Sequence, residues 1–283
     1  MSSEVTFKGI AGFRLVTANP ELLMTFYQAI GFIAGEIAPI AAAEMAVLGL
    51  EGAGWRRSMT LGESRVDIDA FDLPGRSYPH CTSASDLVFQ HLALVTDDAR
   101  VGWRRAWNAG ATPITRGEPV TLPQSSGGVT AVKFRDPEGH PLELLEFTAG
   151  SNPLWQGRGV MGIDHSAISV ADLGASRHFY ETHGLAEGKR TLNQGPAQVA
   201  LDGLDGVEVD VLPMNPPDKP PHIELLGYRQ PAGRPHAPLA ANDIAATRIV
   251  WLANRDALVR DPDGHLLQLT RQDRSPTNIA SRR

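Results

Sequence analysis

The chain has 283 residues, room for about two domains, and its 42% hydrophobic and 20% charged residues describe an ordinary globular protein, excluding disorder and a fibrous repeat. A net charge of −6 with no Lys/Arg block lacks the footprint that phosphate backbones or anionic bilayers demand, so neither nucleic acid nor membrane is an expected partner. Cys81 is the lone cysteine, which excludes an intrachain disulfide and thiolate metal clusters and fits a reducing, cytoplasmic location.

The opening MSSEVTFKGI reads as no signal peptide, and the most apolar stretch, residues 32–50, is interrupted by Glu36 and Glu44, so no membrane span is expected. Residues 13–16 then form an apolar, alternating run that predicts a strand. Asn19 follows as a helix cap, with Pro20 at the first helical position and Gly31 where the helix must end. The same order returns twice, as residues 92–95 with Asp98 and Gly110, and as residues 166–170 with Asp172 and Gly184. Residues 9–32 align without a gap with residues 162–185 at an offset of 153, and both segments carry FYxxxG: Phe26, Tyr27, Gly31 and Phe179, Tyr180, Gly184. The copy beginning at His91 stands 74 residues before that at His165.

After the second helix, residues 129–134 and 142–147 flank Asp136, Pro137, Glu138 and Gly139, a hairpin signal. Asp261, Pro262, Asp263 and Gly264 before residues 266–269 repeat it 125 residues later and mark a fourth unit. That unit is short, because the interval from Asn242 and Asp243 to its hairpin leaves little room for a helix. Each unit therefore reads β-α-β-β-β, the fourth truncated, and the fold class is α+β with paired units. Pro/Gly-rich joints fall at residues 73–79, 150–159, 215–221 and 231–238. Residues 151–159 are the expected linker between a first domain, 1–150, and a second, 160–283, of two units each.

Four such units, with FYxxxG after the first strand of units one and three and RDPEGH or RDPDGH before the last strand of units two and four, resemble the vicinal oxygen chelate superfamily. That superfamily includes glyoxalase I, extradiol dioxygenases and bleomycin or fosfomycin resistance proteins. The resemblance covers nearly the whole chain. It implies curved half-barrels that close in pairs into cups, with metal ligands on the first and last strands of each unit. The first-strand positions it implies are Gly12, His91 and His165, and the last-strand positions are Asp67, Glu143, Glu224 and Gln268. For unit four the first-strand position is His236 or Thr247, depending on where the strand begins. If units two and three share a cup, His91, Glu143, His165 and Glu224 make a two-His, two-Glu set. If instead one pairs with two and three with four, each cup keeps one His and one Glu. The first arrangement is favoured because it gathers every full-strength ligand.

Imidazole nitrogen together with carboxylate oxygen suits a divalent ion such as Zn, Ni, Co, Mn or Fe(II). His91 and Glu143 are 52 residues apart and His165 and Glu224 are 59, so only the fold can bring either pair together. Four protein ligands on a six-coordinate ion leave two adjacent positions for a small substrate with vicinal oxygens. There the metal would stabilise an enediolate while Glu224 or Glu143 takes the proton, a lyase or isomerase of glyoxalase type. Two alternatives stand beside it: an extradiol Fe(II) dioxygenase on a catechol, which uses two His and one carboxylate, and a non-catalytic binder of the resistance type. A lone strand histidine is more often satisfied by backbone groups. A carboxylate among apolar neighbours, as in LELLEF and IELLGY, is costly to bury unless paired or metal-bound. His140 and His265 read as turn residues, the Phe-Tyr pairs as core, and residues 125–128 as a candidate lid. No cluster of arginines advertises a tripeptide such as glutathione, and the expected assembly is a monomer or homodimer binding a small molecule.

Overall fold

The structure is a computed structural model describing residues 5–218 and 220–271. Unit one comprises β1 (Gly9–Thr17), α1 (Pro20–Ala29), β2 (Ile33–Pro39), α2 (Ala42–Leu48), β3 (Gly54–Leu61) and β4 (Ser64–Phe71). Unit two has β5 (Gln90–Thr96), α3 (Ala99–Asn108), β6 (Thr112–Pro113), β7 (Val120–Thr121), β8 (Thr130–Arg135) and β9 (Pro141–Glu146). Unit three has β10 (Val160–Ser169), α4 (Leu173–Thr182), β11 (Ala186–Glu187), β12 (Thr191–Gln194), α5 (Pro196–Asp202), β13 (Glu208–Asn215) and β14 (His222–Gln230). Unit four is β15 (Arg248–Ala253), β16 (Ala257–Arg260) and β17 (Leu266–Arg271), with no helix among its described residues. Beyond the expected β-α-β-β-β order, units one and three each insert a short helix before their last two strands. No helix among the described residues is long and apolar enough to cross a membrane.

The three long helices begin as their sequences require. The side chains of Asn19, Asp98 and Asp172 accept from the backbone N–H of Leu22, Val101 and Ala175, satisfying donors that the first helical turn leaves unpaired. Gly31, Gly110 and Gly184 follow the C-caps with φ of 111°, 103° and 99°, where a side chain would be strained.

Strand pairing decides which units share a sheet. One sheet runs β16-β17-β15-β1-β4-β3-β2 and the other β11-β13-β14-β10-β5-β9-β8-β6. Units one and four are thus joined by the antiparallel pair β1 and β15, and units two and three by the antiparallel pair β5 and β10. Each sheet draws on both halves of the sequence.

Period-two alternation sorts the strands' side chains. Leu92 and Leu94 of β5, Leu142 and Leu144 of β9, and Ile223 and Leu225 of β14 enter one core shared with Phe13, Leu15, Val66, Ile68 and helix residues Leu23, Phe26, Trp103 and Tyr180. The intervening positions, His91, Glu143 and Glu224 in one sheet and Arg14, Asp67 and Gln268 in the other, are left for the opposite faces.

The two sequence motifs meet across units. Tyr27 of α1 donates to Asp136 in the RDPEGH turn of unit two (3.2 Å), and Tyr180 of α4 donates to Asp261 in the RDPDGH turn of unit four (3.1 Å). Asp136 also accepts from the backbone N–H of Glu138 and His140, and Asp261 from those of Asp263 and His265. The next acidic residue reaches a neighbouring helix start: Glu138 accepts from the N–H of Ala18 and Asn19, and Asp263 from that of Ala171. His140 and His265 are turn residues, as expected, and both are buried.

Candidate metal centre

His91 on β5, Glu143 on β9 and His165 on β10 form a buried group whose candidate ligand atoms all lie within 4.8 Å of one another. His91 Nε2 is 2.8 Å and His165 Nε2 4.0 Å from the same oxygen, Glu143 Oε2. Glu224 on β14 approaches from the other side, its Oε2 3.4 Å from His165 Nε2, and stands outside the tight group. All four side chains line one cavity of about 230 Å³. Register explains the convergence: Ala93 pairs with Glu143 and Ala167 with Glu224, so each histidine sits two residues before the partner of a glutamate and shares its face.

A divalent ion fits this donor set. Two ligands about 2.1 Å from an ion are about 3 Å apart when adjacent and about 4 Å apart when opposite, and the three nitrogen–oxygen distances fall around that range. Neither ring nitrogen of His91 has a hydrogen-bond partner, although the residue is buried; Nε2 lies beside Glu143 without hydrogen-bond alignment. His165 is oriented by its neighbour, its Nδ1–H donating to Asp164 Oδ2 at 2.9 Å, which leaves Nε2 for the cavity. Asp164 also accepts from Trp155 Nε1. Adjacent strand residues normally face opposite ways; a register shift between Ile163 and His165 lets Asp164 lie beside the ring.

The electrostatics favour ionised carboxylates. Burial would raise Glu224, but the His165 and His222 rings outweigh it and hold the carboxyl at about 2. Burial likewise opposes Glu143, and Lys133, His91 and His165 together keep it below its ordinary value. His165 is lifted to about 9 because the charges of Glu224, Asp164 and Glu143, with the Asp164 hydrogen bond, overcome its burial. His91 is pushed down by burial, partly offset by Glu143.

Three neighbours escaped the sequence reading. Asp164 is one. His222, two residues before Glu224 and so on its face, brings Nε2 to 3.7 Å from Glu224 Oε1. Lys133, the β8 register partner of Glu143, is buried against Asp202 of α5 at 2.6 Å. The period-two spacing of His222 and Glu224 was a usable signal, whereas Asp164 and Lys133 depend on a bulge and a pairing that sequence does not display. In the candidate lid, residues 124–126 form a 3-10 turn, and Ser126 and Gly127 line the cavity.

The other sheet holds the remaining expected positions and corrects one. Gly12 pairs with Val250 and Arg14 with Arg248, as His165 pairs with Ala93 and Ala167 with His91. The counterpart of His91 in unit four is therefore Arg248, not His236 or Thr247; with no helix in unit four, the cap spacing that placed the other strands gave a false origin. Arg248 is fully buried and donates to Asp69 at 2.5 Å. Arg56 clamps the same carboxylate with two bonds of 2.7 and 2.8 Å, and Arg65 reaches Asp67 at 2.9 Å. Glu44, on α2, binds Arg14, Arg56 and Gln268. At Gly12 a Cβ would stand 2.8 Å from the carbonyl oxygen of Arg65, so no histidine fits there without backbone movement. Guanidinium groups paired to carboxylates fill this second face.

No family model matches the chain, and no curated protein matches it either. Solved structures do. A point variant of glyoxalase I from Zea mays superposes with a TM-score of 0.60 at 15% identity, covering 93% of this chain and 92% of that one. Glyoxalase I itself from Zea mays gives 0.58 at 15% identity with the same coverage. A protein provisionally named a dioxygenase, from Bacillus subtilis subsp. subtilis strain 168, gives 0.57 at 11% identity, covering 93% of this chain and 85% of that one. The chain shares the fold of these glyoxalase I structures.

Proposed function

We propose that the protein is a metal-dependent lyase or isomerase of glyoxalase type, acting on a small substrate with vicinal oxygens in the cup of units two and three. One observation carries the reading: two imidazoles and two carboxylates from four strands meet in a single cavity, with His91 lacking any other polar partner. His91, Glu143, His165 and Glu224 would hold a divalent ion, which supplies a Lewis acid for negative charge developing on substrate oxygen. Asp164 holds the Nδ1 proton of His165, so Nε2 is the nitrogen that a bound ion would take once its own proton is displaced. Glu224, less tightly gathered than the other three, is the carboxylate suited to take a proton from the substrate carbon. Leu122, Val129, Leu145, Leu201, Val209 and Leu226 supply the apolar part of the lining around that step.

The test is exchange of the carbon-bound protons of dihydroxyacetone in D₂O, followed by proton NMR on protein loaded with Zn, Ni, Co or Mn. Exchange is expected with at least one metal and is expected to fall at least 100-fold in Glu224→Gln. Exchange unchanged in that variant would overturn the role of Glu224, and exchange with no metal present would overturn the role of the ion.

A second reading draws on the position of Glu224 outside the tight cluster, which leaves a two-His, one-carboxylate face of the kind used by Fe(II) oxygenases. Aerobic ring cleavage of catechol with Fe(II), absent with Zn or Ni, would select it over the first.

A further inference from the structure

We propose that Trp155, in the joint between the two halves of the sequence, is a positioning residue of the metal centre: its indole N–H fixes Asp164, and Asp164 fixes His165. The proposal rests on the metal-centre reading and extends it to a segment that carries none of the proposed ligands.

The joint is fastened at both ends, where a linker that only spans a distance makes few contacts. Asn152 gathers its first turn. The Asn152 side-chain oxygen accepts from the backbone N–H of Leu154 at 3.1 Å, and its carbonyl accepts from the N–H of Trp155 at 3.3 Å and from the side-chain amide of Gln156 at 2.7 Å. Gly159 closes the far end, donating to the Asp97 carboxylate at 2.8 Å and accepting from the Asp97 backbone N–H at 3.3 Å. Between these ties two adjacent apolar side chains part. Leu154 is 66% exposed, whereas Trp155 is half-buried and turned toward β10.

Strand β10 is shaped to receive the indole. At Gly162 a Cβ would stand 2.8 Å from Cζ3 and 2.9 Å from Cη2 of the Trp155 ring, so a side chain there displaces the ring. Two residues further on, Asp164 divides its carboxylate between two partners. Oδ1 accepts from Trp155 Nε1 at 3.3 Å, and Oδ2 accepts from His165 Nδ1 at 2.9 Å.

That division gives the indole its role. A carboxylate with one donor can rotate and exchange its oxygens, whereas a donor on each oxygen sets its plane and, through it, the plane of the imidazole. His165 Nε2 lies 3.4 Å from Glu224 Oε2 and 4.0 Å from Glu143 Oε2, so a tilt of the ring alters both distances together. Burial of the ring against Gly162 is packing and does not involve the N–H. Packing and positioning are therefore separable at one atom.

Trp155→Phe removes that atom and keeps an aromatic ring over Gly162. Zinc affinity of the full-length protein, measured by competition with a chromophoric chelator, is expected to fall about three- to tenfold, the size of one hydrogen bond. In an Asp164→Ala background the same substitution is expected to change affinity by less than about twofold, because the N–H has nothing left to hold. Gly162→Ala, whose methyl group must push the indole aside, is expected to reproduce both results with the tryptophan still present. Wild-type affinity in Trp155→Phe and in Gly162→Ala would overturn the proposal. So would a loss of equal size with and without Asp164, which is the result of a packing defect alone. Wild-type protein that takes up no zinc contradicts the metal centre itself, a different failure.

Discussion

At the scale of single residues, Asp164 carries as much of the centre's geometry as a ligand does. A histidine ring pivots about χ2, and the bond from Nδ1–H to Asp164 removes that freedom before any ion arrives. Asp164→Ala is therefore expected to weaken zinc or nickel affinity about 10- to 100-fold, with Asp164→Asn recovering part of it because the amide oxygen still accepts. Competition against a chromophoric chelator measures this, and equal affinities in wild type and both variants would contradict it. The four proposed ligands were legible in the sequence because the repeat aligned His91 with His165, the hairpin turn at residues 136–139 located Glu143, and the last-strand position of the resemblance located Glu224. Asp164 was not, since alternation assigns it to the opposite face and only the bulge on β10 brings it back. Arg248 was hidden for a related reason, as nothing in the sequence of unit four marks where its first strand starts.

At the scale of elements, the short helices α2 and α5 distinguish the two cups. They end at Gly49 and Gly203, with φ of 67° and 65°, and their sequences correspond at an offset of 154, which matches Glu44 to Gln198. Seven residues are too few to announce a helix by periodicity, so neither was expected. In one cup the matched position supplies a carboxylate that ties Arg14, Arg56 and Gln268 together; in the other it supplies the amide beside Asp202. Burial would raise Glu44, but hydrogen bonds and charge from Arg56 and Arg14, with help from Gln268, hold it at about 2. The folded value lies below the unfolded one, near 4.5. Its stabilisation is therefore complete above about pH 4.5 and lost as pH falls toward 2. Glu44→Gln is expected to cost about 2–3 kcal/mol at pH 7, with the gap from wild type narrowing between pH 4.5 and 2. Urea unfolding at pH 7, 4 and 3 measures it, and a gap that does not change with pH would contradict the assignment.

At the scale of the molecule, chain order and sheet order differ. The halves 1–150 and 160–283 are units of sequence, whereas each sheet joins a unit from one half to a unit from the other. The motif turns stitch the arrangement together, since Tyr27 and Asp136 come from units in different sheets, as do Tyr180 and Asp261. The four units and the missing fourth helix were readable from strand, cap and hairpin signals. The pairing was not dictated by them, because both arrangements satisfy the same local rules; what favoured the observed one was the chemistry of the residues left at the ligand positions. The result is two unlike cups: one lined by two imidazoles and two carboxylates, the other filled by arginines bound to Glu44, Asp67 and Asp69. Metal content per chain tests this most directly, by elemental analysis after reconstitution with excess zinc and gel filtration. The account predicts one equivalent, lost in His91→Ala and in Glu143→Ala and retained in Gln268→Ala. Two equivalents in wild type, or one that survives both of the first two substitutions, would contradict it.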